Sequence, residues 1–164
     1  MSGSLDGDAL ARRILDAIGG RDRRLVADAV AHDVHYEDPF LPGPLRGPDA
    51  LADHLALLWQ AFPEGRVEST GPCLHDGGRI VALPLRLLGD HRGPLGPLPP
   101  TERFAHVHGM LVCELDLAGR RLWRARLFVD RYEACVQLGV LPEAGTVGDR
   151  AIRALQGFGI LRGR

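Results

Sequence analysis

Leu10, Ile14 and Ile18, with Leu15 beside them, recur at the spacing of one helical face, so residues 6–18 predict an amphipathic helix that Gly19-Gly20 ends. Residues 22–31 predict a second, short helix, with Asp22 as N-cap and Leu25, Val26 and Val30 facing inward. A brief strand, 34–37, stops at Asp38-Pro39, because proline has no N–H to donate to a ladder. After a Pro/Gly-rich loop, Pro48 suits the first turn of a third helix over 48–61, striped by Leu51, Leu55 and Leu58 and reaching Phe62. The pattern then shortens to strands at about 66–73, 79–88, 103–116 and 121–130, followed by a last helix over 148–157 carrying Ile152 and Leu155.

Helices first and a run of antiparallel strands afterwards is an α+β order. It predicts a curved antiparallel sheet wrapped around N-terminal helices, a cone open at one end whose interior holds a ligand. The 164 residues suit one domain, with 1–7 as a flexible tail.

The last two strands predict a register. If Ala118, Gly119 and Arg120 form the hairpin loop, Leu117 pairs with Arg121. One face then collects Val107, Leu111, Cys113, Leu115, Trp123, Ala125, Leu127 and Val129. The other face carries Phe104, His106, His108, Met110, Glu114, Arg124, Arg126, Phe128 and Asp130. Glu114 falls opposite Arg124, and His108 opposite Asp130.

Composition narrows the chemistry. A formal net charge of −1 leaves no electrostatic footprint for nucleic acid or an acidic membrane surface. No apolar run approaches the roughly 20 residues of a membrane span, and the N-terminus lacks the basic and apolar regions of a signal peptide. Three scattered cysteines, Cys73, Cys113 and Cys135, suit reduced thiols in a cytoplasmic protein. All 20 basic residues are arginines, which removes lysine Schiff-base chemistry, and asparagine is absent altogether. No G-x-S-x-G elbow, phosphate-binding loop, dinucleotide fingerprint or H-E-x-x-H occurs, so no cofactor and no metal are expected.

Several residues carry candidate chemistry. Asp130, ending an apolar run, is read either as the cap of the following segment or as a carboxylate whose pKa an apolar cavity raises toward neutrality. His106 and His108 share a strand face; they are satisfied histidines or an acid–base partner for Asp130, and no third ligand makes them a metal site. Tyr36 and Asp38, two apart, reach a cavity from its opposite wall, or Asp38-Pro39 is simply a turn. His91, in a Gly/Pro-rich loop, lines a cavity mouth or is solvated. Asp53 and His54 are expected on a solvated helix face, and Trp59 and Trp123 in a core or an interface.

Taken in order, Y-E-D-P at 36–39, A-F-P-E-G at 61–65, G-D-H-R-G-P-L-G-P-L-P-P-T at 89–101 and F-V-D…Q-L-G-V-L-P at 128–142 resemble the SnoaL-like polyketide cyclases, of the superfamily named after nuclear transport factor 2. The resemblance implies a cone-shaped α+β core over 8–142, with 143–164 a partly helical extension. It implies a homodimer or larger homo-oligomer, an apolar pocket and no cofactor. An aspartate at the end of the last long strand, here Asp130, would act as base next to a substrate carbonyl, and the enolate would close a ring by intramolecular aldol attack. His108 would partner it, with His106, Tyr36, His91, Asp38, Phe104, Met110, Phe128 and Arg126 around a polyketide-like substrate. Epoxide opening assisted by Asp38, and ligand binding without catalysis, are the alternatives within the same fold.

Overall fold

The structure, a computed structural model, describes residues 7–118 and 120–156. Most of the expected tail at 1–7, Gly119 of the expected hairpin loop, and residues 157–164 of the extension lie outside the described residues.

Helix α1 (Gly7–Gly19) buries Leu10, Ile14 and Ala17, the face its periodicity predicts. Helix α2 (Arg23–Ala29) starts at Asp22, whose carboxylate accepts the Arg24 N–H at 2.8 Å. Strand β1 (Val30–Glu37) follows without a loop, four residues earlier than the alternation suggests, because Val30, Ala31 and Val34 are all buried. Strand β2 (Leu45–Arg46) folds back onto β1 from within the Pro/Gly-rich loop, pairing Leu45 with Tyr36. Helix α3 (Pro48–Ala61) matches its predicted bounds. The strand expected over 66–73 splits into β3 (Arg66–Ser69) and β4 (Leu74–His75) around Gly71-Pro72, since proline cannot donate to a ladder. Then come β5 (Ile80–Asp90), β6 (Phe104–Leu115), β7 (Leu122–Val129), α4 (Arg131–Gln137) and α5 (Val147–Leu155).

The sheet runs β2-β1-β7-β6-β5-β3, with β4 also on β5. It is the curved α+β arrangement expected, with one departure from a fully antiparallel sheet: β1 and β7 run parallel. Odd-numbered residues of β5 and β6 point inward, toward the helices: Val81, Leu83, Leu85, Leu111, Cys113 and Leu115 pack with Ile14, Val26 and Leu55 in the main core. A second apolar cluster, built on Ala61, Phe62, Ala105 and Leu138 with Leu58, Leu87 and Val107 against it, lies further along the same inner face. No helix among the described residues is long and apolar enough to cross a membrane.

The β6–β7 ladder keeps the predicted register from Gly109↔Val129 to Glu114↔Arg124. Near the turn a bulge shifts it, so that Leu115 faces Leu122. The three-residue loop with Leu117 opposite Arg121 is therefore not formed. Instead the Asp116 N–H donates to the Arg121 carbonyl at 2.8 Å, and the Asp116 carboxylate accepts the Arg120 N–H at 2.9 Å. A side chain that bonds its own turn outcompetes the tighter loop.

The segment between β5 and β6, expected as a plain loop, is pinned at both ends. The Arg92 and Gly93 N–H groups donate to the Ala61 carbonyl at 2.9 and 3.0 Å, capping the end of α3. The ladder continues past Asp90↔Phe104, with the His91 N–H donating to Arg103 O at 2.9 Å. Leu95 and Leu98 bond each other and pack on the second apolar cluster.

Candidate functional site

β1 leaves the sheet at Asp38-Pro39, and the turn that follows organises a buried carboxylate. One oxygen of Asp38 accepts the Phe40 N–H at 2.7 Å and the Leu41 N–H at 3.1 Å. The other lies 2.6 Å from Nε2 of His54 on α3. The Asp38 side chain is 3% exposed and that of His54 24%, so the acid is sealed and the imidazole is the accessible member.

Burial pushes the Asp38 carboxyl pKa up, but the His54 hydrogen bond, the Phe40 N–H, the His54 charge and the Tyr36 hydroxyl outweigh it and hold the group below its usual value. An ionised carboxylate only accepts, so His54 donates through Nε2, and whenever the ring is neutral its lone pair is on Nδ1. Tyr36, a buried inward-facing residue of β1, sets its ring 5.8 Å from that of His54. Its phenol pKa is raised by burial and by the Asp38 carboxylate, so it stays a hydroxyl donor. The next inward positions across the sheet are Ala125 and Cys113, paired in the rows Tyr36↔Ala125 and Cys113↔Ala125. Burial pushes the Cys113 thiol up to about 12, with Cys73 adding to the shift, so it is an inert packing group.

His54 was expected in solvent beside Asp53. Asp53 does face solvent, paired with Arg23 at 2.6 Å, but His54 is only partly exposed. The overlooked signal was its place in the stripe: three residues after Leu51 and four before Leu58, an imidazole on the apolar face of a buried helix.

The residues expected around a cavity wall on β6 and β7 lie elsewhere. Alternation sends Phe104, His106, His108 and Met110 to the outer face, with Arg126, Phe128 and Asp130. The ladder ends at Gly109↔Val129, one pair short of His108 and Asp130. Asp130 is exposed and caps α4, accepting the Glu133 N–H at 2.9 Å. His108 is exposed and its ring lies tilted against that of His106, centroids 4.6 Å apart. His91, expected at a cavity mouth or in solvent, is fully buried, its ring centroid 5.4 Å from that of Phe62. Arg126 pairs with Glu37 and lies over the Phe128 ring. Phe104 and Phe128 are 58% and 50% exposed. The polar face that the register separates from the apolar one is thus the outside of the sheet, away from the helices.

Gln137 of α4 clamps the unpaired start of β6 on the side β7 does not reach. It accepts the His106 N–H at 2.7 Å and donates to the His106 carbonyl at 3.0 Å. No group of three His, Cys, Asp or Glu among the described residues stands close enough to hold a metal ion.

The fold and this interior acid–imidazole pair invite comparison with known proteins. Among solved structures, a protein described as a SnoaL-like polyketide cyclase from Jannaschia sp. CCS1 superposes with a TM-score of 0.73 at 17% identity, over 87% of this chain and 97% of that one. IdmH of Streptomyces antibioticus, described as a polyketide cyclase, gives 0.68 at 18% identity over 82% and 99%. TsrD of Streptomyces laurentii gives 0.71 at 16% over 82% and 95%. At these identities the likeness is one of fold. No curated protein matches the sequence. The sequence profile of the SnoaL-like polyketide cyclases matches residues 8–138, most of the chain, and the protein therefore belongs to the SnoaL-like polyketide cyclase family.

Proposed function

We propose that this chain is a cofactor-independent cyclase that closes a ring in a polyketide-like substrate by intramolecular aldol attack, with His54 as acid–base group and Asp38 as the carboxylate that orients it. The observation that carries the reading is the 2.6 Å contact between a sealed, ionised Asp38 and an accessible His54. Nδ1 of His54 removes the proton from carbon next to a carbonyl, and Asp38 stabilises the imidazolium that forms. The enolate carbon attacks a second carbonyl of the same molecule, making the C–C bond. The alkoxide takes the proton back from Nδ1, so the imidazole returns to its starting state. The Tyr36 hydroxyl remains protonated throughout and holds Asp38 in place.

Proton abstraction can be read without the true substrate. A β-diketone in D2O should exchange its acidic C–H faster with the protein than without. His54→Ala and Asp38→Asn should each lose that acceleration by about 10²–10⁴-fold, the usual contribution of general acid–base groups. Saturable binding with no exchange in the wild-type protein would make the chain a binding protein instead.

The same reading assigns the outer face of the sheet to a second copy of the chain. Phe128 with Met110 opposite it, and Phe104 further along β6 beyond His106 and His108, expose apolar groups on this face, flanked by Arg126–Glu37 and Arg86–Glu68 ion pairs. Aromatic groups ringed by paired charges suit a homodimer interface.

A further inference from the structure

Helix α5 turns its apolar face outward. At about 100° per residue, Val147, Ala151, Ala154, Leu155 and Ile152 share one arc of roughly 160°, while Asp149, Arg150, Arg153 and Gln156 occupy the other side. The apolar arc is the exposed one. Val147 is 77% exposed and Leu155 88%, with Ala151 and Ala154 exposed between them and Ile152 half-buried at the edge. Asp149, on the polar side, is the one buried residue of the helix.

Local bonds set this helix, not packing against the body. The Asp149 N–H donates to Thr146 Oγ1 at 3.3 Å, and the Asp149 carboxylate accepts the Gly145 N–H at 2.9 Å and the Arg153 Nε–H at 3.0 Å. Among the described residues, every hydrogen bond of 143–156 stays within that segment. The stem beneath it is fixed to α4. The Val140 and Leu141 N–H groups donate to the Cys135 carbonyl at 2.8 and 3.1 Å, and the Tyr132 hydroxyl donates to the Pro142 carbonyl at 3.2 Å. A helix of 9 residues is marginal in water by itself, so an apolar arc held out on a fixed stem calls for a partner outside the chain.

Charge indicates which partner. Residues 147–164 carry four arginines, Arg150, Arg153, Arg162 and Arg164, against one acid, Asp149, a net of +3. The remaining 146 residues hold 16 arginines and 20 acids, a net of −4, so the overall −1 conceals a basic tail on an acidic body. Charges beyond about 8 Å are screened at physiological salt, so the tail's own sign governs what it touches. The arc is built of Val, Ala, Leu and Ile, without the Trp or Tyr anchors that concentrate energy in protein–protein contacts, whereas a lipid surface accepts any apolar arc. We propose that α5 is an interfacial helix that docks this protein on an anionic lipid surface. Val147, Ile152 and Leu155 enter the acyl boundary, Arg150 meets the headgroup phosphates, and the other arginines of the tail add to the attraction. The family profile ends at residue 138, so this helix lies outside what the family shares.

The test sediments the full-length protein with vesicles of phosphatidylcholine, alone or mixed with phosphatidylglycerol. The protein should bind the mixed vesicles, less so as salt is added, and leave the neutral ones alone. Arg150→Gln should weaken binding about fivefold, and Leu155→Glu, which leaves Thr146 and Asp149 in place, about tenfold or more. A chain ending at Pro142 should keep its circular dichroism per folded residue and lose binding. Wild-type protein that stays in solution with the mixed vesicles would overturn the proposal. So would equal binding to neutral vesicles, or equal binding by the chain ending at Pro142. If removing α5 instead turns a dimer into a monomer without vesicles, the apolar arc belongs to a second copy and the lipid assignment falls.

Discussion

Asp38 and His54, sixteen residues apart in the chain, meet at 2.6 Å where β1 ends against the apolar face of α3. Neither element makes the pair alone. The strand brings a carboxylate to the turn after Glu37, and the helix stripe brings an imidazole down onto it.

Asp38→Asn and Asp38→Ala should separate chemistry from folding. Asparagine keeps an oxygen for the Phe40 and Leu41 N–H groups, so Asp38→Asn should fold, give up at neutral pH the stability that the depressed Asp38 carboxyl contributes, and lose C–H exchange. Alanine leaves those two N–H groups without an acceptor, and Asp38→Ala should cost about 1–3 kcal/mol in a urea titration. Equal exchange rates in wild type and Asp38→Asn would remove the pair from the mechanism.

Asp130 provides the control. It is exposed and caps α4, so Asp130→Ala should cost about 1 kcal/mol and Asp130→Asn very little, since asparagine caps as well as aspartate. Both should retain C–H exchange within about twofold. A loss in Asp130→Asn as large as in Asp38→Asn would move the base to Asp130.

The acid limb of stability should carry two signatures. The Asp38 pKa is lowered in the folded state, so its contribution is present above the unfolded value, near 4, and disappears as pH falls through the depressed folded value. The His91 pKa is also lowered, and for a base this means the unfolded chain takes up a proton first. Stability from a neutral His91 is therefore complete above about 6.5 and declines as pH drops below it. Urea midpoints between pH 7.5 and 5 should fall less in His91→Phe than in wild type, and Asp38→Asn should flatten the profile only below about pH 4. Identical pH profiles in all three proteins would contradict both assignments.

The outer face should govern assembly. Sedimentation of the wild-type chain should give a dimer, and Phe104→Glu with Phe128→Glu should give a monomer that keeps its circular dichroism, because both rings are half exposed in one chain. A monomeric wild-type protein would withdraw this face as an interface. Persistence of the dimer in the double variant would place the interface elsewhere.

Most elements were legible in the sequence because their signals are local. The stripe of α3 and its Pro48 start predict its bounds, Asp22 predicts the start of α2, and the opposition of Glu114 and Arg124 follows from alternation in two neighbouring strands. Local bonding also explains the misses. Asp116 closes its own turn and shifts the hairpin end, and Gly71-Pro72 breaks a strand that apolar content alone would have continued.

The site was legible only in part, and the reason is geometric. Period-two alternation sorts residues into two faces of a sheet, but it carries no label for which face the helices cover. His106, His108, Phe128 and Asp130 were rightly grouped and belong to the outer side. Tyr36 and Asp38 lie together as their spacing suggests, while His54, which meets Asp38 at 2.6 Å, sits on another element at a spacing no local pattern encodes. By itself the sequence determined the elements, their order, and which side chains travel together. The tertiary structure decided which of those groups are inside, because burial against α1, α2 and α3 depends on how the sheet curves, a property of all its strands at once.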